Sequence, residues 1–274
     1  DTISGDDKHF GWRLGRFFLT GFTRVTADEN QQPVFIKTLG DSVTLWFDLE
    51  QDIDALNGNA QLSLAADANG YDQQFGIPKT NFGRGTLIVR HTDYQNAKNE
   101  PAVYTDYLLA KGTTGANTRI VLHEEGDYEV ALDYEVQDGE LTHITSKFGN
   151  YRIFLRFSIR NGNCMVYPFD LLTGAELQNT SVAEAGFSLD LARSRYLDIN
   201  VRRAVLVETA NGVIEDERFN RPAKDGDRYT QEGIYTISVS NRYTGESTTK
   251  TIFVGSQELL ETYVRNGFSL ERLK

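Results

Sequence analysis

Short runs that alternate apolar and polar residues, punctuated by Asn-Gly and Asp-Gly pairs, constrain this chain more than any other feature. Period-two alternation marks a strand with one face in a core. In Ser42–Glu50, Val43, Leu45, Phe47 and Leu49 share one face, while Thr44, Trp46 and Asp48 take the other. The same pattern fits Thr86–His91, Asp127–Val136, Tyr151–Arg160, Tyr196–Glu208, Gly233–Ser240 and Thr248–Val254. Between such runs lie Asn57-Gly58, Asn69-Gly70, Asp138-Gly139, Asn161-Gly162, Asn211-Gly212 and Asp225-Gly226, dipeptides that supply the positive φ of tight hairpin turns. No 10–15-residue helical pattern separates the strands, so the reading is all-β with antiparallel sheets, not a βαβ nucleotide-binding fold.

A weak repeat divides the chain. Glu125-Gly126-Asp127-Tyr128 returns as Glu232-Gly233-Ile234-Tyr235, 107 residues later. Each copy opens an alternating strand that is followed by a turn and a final strand. In immunoglobulin-like sandwiches a tyrosine at the start of the penultimate strand hydrogen-bonds back to the preceding corner, and Tyr128 and Tyr235 sit where such corners belong. The expectation is two tandem antiparallel Ig-like β-sandwich domains with a boundary near Asn161-Gly162-Asn163. Residues 1–162 form the larger, carrying a long insertion around 52–86, and 163–255 the smaller. A helical tail, 256–274, follows: Gln257–Arg265 has helical spacing, Ser256 is its N-cap and Asn266-Gly267 its stop. Leu49–Leu56 reads as a short helix or an acidic loop.

Composition narrows the partners. The chain carries 28 Lys+Arg against 39 Asp+Glu, a net charge of −11, which argues against gripping nucleic-acid phosphates. No apolar run has the length of a membrane helix, and nothing calls for an obligate oligomer. Cys164 is the only cysteine, so no intrachain disulfide forms and no zinc spacing exists. The chain starts at Asp1 and its one methionine is Met165, which fits a removed signal peptide and a protein that continues past Lys274.

Gly233–Gly255, GIYTISVSNRYTGESTTKTIFVG, resembles the closing hairpin of Ig-like domains in secreted and surface proteins of Gram-positive bacteria. Leu259–Leu273 is similar to the helical segment that often follows them. The resemblance is confined to about residues 229–273. It implies an extracellular or cell-surface location and a non-enzymatic adhesion, binding or spacer role toward a glycan, host or cell-wall ligand. Some domains of this style also carry a Lys–Asn isopeptide crosslink beside a buried carboxyl group. Lys37, with Asn200 or Asn241, is available for one here, without the usual flanking motifs.

The residues offer several chemistries beside bland structural roles. Trp46, and Tyr71, Phe75, Phe82 and Arg84 in the 52–86 stretch, can form a platform for sugar rings, or simply pack the core and anchor the loop. Asp48, Glu50, Asp52 and Asp54 alternate, and Asp67, Asn69 and Asp72 recur in DANGYD. Either set can hold calcium through oxygen ligands, though neither follows EF-hand order, and a solvated acidic loop explains both. A pair of such carboxylates is also what a carbohydrate-active hydrolase needs, which is the alternative function. His9, His91, His123 and His143 lack metalloprotease spacing, and no G-x-S-x-G elbow is present. His91 and His123 read as strand-end surface residues.

Overall fold

The computed structural model describes residues 2–5, 15–49, 61–62, 71–72, 75, 77–78, 85–105, 107, 115–138, 147–207 and 212–268. Strands dominate it, with one α-helix among the described residues. The chain divides into two compact units, Asp1–Asn161 and Gly162–Lys274.

In chain order, unit 1 contains β1 (Thr2–Gly5), β2 (Gly15–Thr20), β3 (Arg24–Ala27), β4 (Pro33–Lys37), β5 (Val43–Leu49), β6 (Gln61–Leu62), β7 (Tyr71–Asp72) and β8 (Ile77–Pro78). It continues with β9 (Thr86–Thr92), β10 (Ala102–Tyr104), β11 (Ile120–Leu122), β12 (Gly126–Asp138) and β13 (Lys147–Asn161). The larger sheet runs β10-β9-β12-β13-β4-β3, with β1 on β13 and β6 on β12; a second sheet runs β11-β5-β2. Alternation does what the sequence pattern demands. Val43, Leu45 and Phe47 point from β5 into a core shared with Leu87, Val89, Val130, Leu132, Phe157 and Ile159 of the larger sheet. The arrangement is sandwich-like. The far face of the larger sheet is also covered, since Ile88 and Ala131 are fully buried under Phe75.

Unit 2 contains β14 (Tyr167–Asp170), β15 (Ser181–Ala183), β16 (Phe187–Asp190), β17 (Asp198–Val207), β18 (Gly212–Glu215), β19 (Arg221–Pro222), β20 (Arg228–Tyr229), β21 (Gly233–Asn241) and β22 (Glu246–Val254). One sheet is β15-β22-β21-β17-β18 and the facing one β14-β16-β20. Their core joins Val166, Phe187, Leu189, Val201, Tyr229, Tyr235, Ile237 and Ile252. The single helix, α1 (Gln257–Arg265), is capped by Ser256, whose hydroxyl accepts from the Leu259 N–H. It covers the outer face of the larger sheet, burying Tyr263 on Ile234 and Phe253, and Tyr263 Oη accepts from the Leu206 N–H at 3.0 Å.

Two features tie the units to one plan. Tyr128 Oη donates to the Glu124 carbonyl at 2.6 Å and Tyr235 Oη to the Gln231 carbonyl at 2.7 Å, each four residues upstream. Each hydroxyl thus pins the corner from which its strand starts. The glycine two residues earlier is required: Gly126 and Gly233 have φ near +147° and +148°. A Cβ on Gly126 would run into the Thr92 carbonyl and the His91 ring. The second feature corrects the expectation of purely antiparallel sheets. β4 runs parallel to β13, and β15 parallel to β22, so in each unit an early strand closes alongside the last one. Hairpin signals report neighbours in sequence and are silent about such a closure. Asn161-Gly162, read as a hairpin turn, instead ends β13, and Asn161 is its final residue.

Burial pushes the Tyr235 hydroxyl up to about 12, so it remains a donor throughout the working pH range. Tyr128→Phe and Tyr235→Phe keep the buried ring and remove only this donor. Each should lower the stability of its unit by about 1–2 kcal/mol in urea titrations; an unchanged midpoint for both would show that the corners hold without the hydroxyls.

Candidate functional site

The best-built polar cluster among the described residues lies where β4, β13 and the corner before β12 meet. Parallel pairing puts Lys37 directly opposite Asn161, so their side chains leave the sheet on one face. Both are buried, at 3% and 8% exposure. Lys37 Nζ lies 2.5 Å from Asn161 Oδ1, shorter than the ordinary N–H···O range. Asn161 turns its other end to Glu125: its side-chain N–H donates to Oε1 at 2.6 Å and its backbone N–H to Oε2 at 2.9 Å. Glu125 is held in place by the corner itself, because Tyr128 binds the preceding carbonyl and His91 Nε2 contacts the Glu125 carbonyl at 2.6 Å. Arg160, also buried, donates to the Gly126 carbonyl at 2.9 Å and to Asp127 Oδ1 at 2.9 Å.

Burial drives the amine and the carboxyl toward their neutral forms. Desolvation lowers the Lys37 ammonium below its usual value, against the pull of Glu125, Asp41 and Glu124. Desolvation likewise raises the Glu125 carboxyl, against the Asn161 hydrogen bonds and the Lys37 and Arg160 charges. A neutral amine, a carboxamide and a carboxylic acid in contact form a nucleophile, an electrophile and a proton carrier.

The residues singled out in the sequence are scattered. Trp46 is half-buried on the outer face of the β11-β5-β2 sheet, stacked on Phe18 at 5.6 Å and 14°. Arg119 lies 5.5 Å from the Trp46 ring centre and Arg16 5.1 Å from that of Phe18. Phe75 is fully buried against Ile88, Ala131 and Phe154, and therefore presents no ring to solvent. Arg90 donates to its carbonyl. Tyr71 and Asp72 form β7, paired with Pro78 and Ile77 of β8. Asp48 is half-buried on β5, opposite Arg16. Phe82, Arg84, Glu50, Asp52, Asp54, Asp67 and Asn69 lie outside the described residues, as do His9 and His143. Among the described residues no three acidic, His or Cys side chains gather as metal ligands, and no helix is long and apolar enough to cross a membrane.

The partners suggested for Lys37 are elsewhere. Asn200 donates to Asn220 at 2.6 Å, and Asn241 caps the β21–β22 turn by accepting from the Tyr243 and Thr244 N–H groups; both belong to unit 2. Asn161 and Glu125 were hidden for different reasons. Asn161 sits in a turn-like dipeptide, and Glu125 is one acid among many. The recurring Glu-Gly-x-Tyr corner was the available signal for Glu125. His91 is half-buried and braces the corner, whereas His123 Nδ1 meets Ser42 Oγ at 2.5 Å on the exposed side.

Known families give no lead: no family model and no curated protein matches this chain.

Cys164 is buried at 5% exposure, with Sγ 3.3 Å from the Glu246 carbonyl, and burial raises its thiol. A maleimide at neutral pH should label it on the order of 100-fold more slowly in the native protein than in urea. Equal rates would show an open, reactive thiol.

Proposed function

We propose that this chain is a non-enzymatic part of a secreted or cell-surface protein, built from two Ig-like sandwich domains and serving as a spacer that presents other modules. One observation carries the reading: each unit closes an early strand parallel to its last strand. In a parallel pair, the entering end of one strand and the leaving end of the other lie at opposite ends of the ladder. Once the strands that precede β4 and β15 are drawn away, among them β1, which pairs antiparallel with β13, tension along the chain loads the parallel ladders in shear instead of opening them one by one. β15 and β22 are paired this way over Ser181–Ala183, and β4 and β13 over Val34–Lys37. Supporting features are the pinned corners and the burial of the single thiol, which leaves a disulfide-free chain no site for exchange in an oxidising medium.

A second reading, glycan binding, is favoured by the Phe18–Trp46 stack with Arg16 and Arg119 beside it, since sugar C–H faces pack on aromatic rings. The two guanidinium groups already occupy space over those rings, so a sugar has to displace one. Hydrolysis by paired carboxylates draws on the acidic stretch 48–54, of whose acids only Asp48 is among the described residues.

Single-molecule pulling separates these readings. Pulled from its two ends, unit 2 should rupture in one event at a force severalfold above that needed when Ser240 and Ser247, which face each other across the β21–β22 pair, are drawn apart. Equal forces would remove the spacer reading. A glycan array on which binding is abolished by Trp46→Ala would establish the second reading in its place.

A further inference from the structure

Unit 1 spends a buried lysine, a buried asparagine and a largely hidden glutamate on one spot, and the geometry there is directional. Asn161 presents its carbonyl to the amine and its NH2 to the carboxyl. Nζ is 2.5 Å from Oδ1 and a C=O bond is about 1.2 Å long, so Nζ and the carboxamide carbon are at most about 3.7 Å apart. A bent approach at Oδ1, about 120°, shortens this to about 3.3 Å, within the near-attack range of about 3–3.5 Å. A half-buried amine among the described residues shows the contrast: Lys250 Nζ donates to the Val166 and Leu177 backbone carbonyls at 3.1 and 3.4 Å, with Glu176 as its neighbouring charge and backbone oxygens, not a carboxamide, as its acceptors. Unit 2 supplies a second contrast. Counting along the paired strands from Gly126 and Gly233, the positions of Lys37 and Asn161 are taken by Ala185 and Ser256, although Glu232 stands in the place of Glu125. The acid alone recurs; the amine and carboxamide belong to unit 1.

We propose that Lys37 and Asn161 become joined by a side-chain amide bond that the folded unit forms on itself, with Glu125 carrying the proton. The balance needs no other reactant. Lys37 gives a proton to Glu125 and attacks Asn161 Cγ as the free amine, forming the N–C bond. Glu125 passes that proton to the Asn161 nitrogen and then takes up the surplus proton of the attacking one, ending as the carboxylic acid. The C–NH2 bond breaks, and one ammonia departs as the secondary amide forms. Nothing is oxidised or reduced. Exclusion of water from the buried site keeps hydrolysis of the carboxamide from competing, and the product replaces a buried ionisable amine with a neutral group.

The bond does not depend on the spacer reading, but its mechanical value does. Asn161 is the last residue of unit 1. A tie between it and Lys37, 124 positions earlier, takes the span between them out of the path of tension.

The test is intact mass spectrometry of the folded, then denatured, full chain, followed by fragmentation. The expected mass is below that of the sequence by one ammonia, with a branched peptide containing Lys37 and Asn161. Lys37→Met and Glu125→Gln should both restore the full mass; Glu125→Gln keeps the shape and one of the two acceptor oxygens, and its fold is checked by circular dichroism. A succinimide at Asn161-Gly162 loses the same mass, but it would persist in Lys37→Met and yield no branched peptide. Full mass in the folded wild type, or a loss that survives Lys37→Met, overturns the proposal. Because this readout concerns unit 1 and the pulling experiment above concerns unit 2, failure of one is distinguishable from failure of the other.

Discussion

The parallel pairing of β4 with β13 is the constraint on which unit 1 depends. It joins strands more than 120 residues apart in sequence, and its register decides which side chains meet. Because side chains alternate along a strand, a slip of one residue would turn Lys37 to the opposite face and separate it from Asn161. The register is set from the other side of β13, where β12 begins at Gly126 and pairs with β13 along thirteen positions. Gly126 permits the bend and Tyr128 pins it. The corner that starts the penultimate strand therefore also fixes the end of the last strand and the acid beside it.

Unit 2 uses the same solution with different furnishings. Its corner is pinned by Tyr235, its early strand β15 closes on β22, and its outer sheet face is roofed by α1, where unit 1 uses Phe75. Several polar groups are answered by near neighbours. Arg152 and Asp133 form a two-contact ion pair between neighbouring strands, and Asn241 satisfies two backbone N–H groups at a turn. Against that background the Lys37–Asn161–Glu125 cluster is distinctive, because it joins an early strand to the last one and combines complementary chemistry instead of simply satisfying donors.

Much of the fold was legible. Strands such as Val43–Leu49 and Gly233–Asn241, both tyrosine corners, and the Ser256-capped helix all follow from alternation, corner chemistry and capping, which are local in sequence. What was illegible is long-range. The parallel closures leave no local trace, since the same alternation serves either strand direction. Phe75 lies in a polar, aperiodic stretch, yet it fills a gap over Ile88 and Ala131 that only the assembled sheet creates. Lys37 was visible as a lysine in a strand; its partner was not, because Asn161-Gly162 has the composition of a turn while occupying the end of a strand. Trp46 fell on the face opposite the core, as alternation requires, but its stack with Phe18 depends on the pairing of β2 with β5.

The central claim, that an early strand closes on the last one in a register bringing amine and carboxamide together, is most directly tested by a high-resolution crystal structure of the full chain. The account predicts β4 parallel to β13, Lys37 opposite Asn161, and continuous density between Nζ and Cγ at amide-bond length, about 1.33 Å. A register shifted by one residue, or two side chains resolved as separate groups at hydrogen-bond distance, would contradict it.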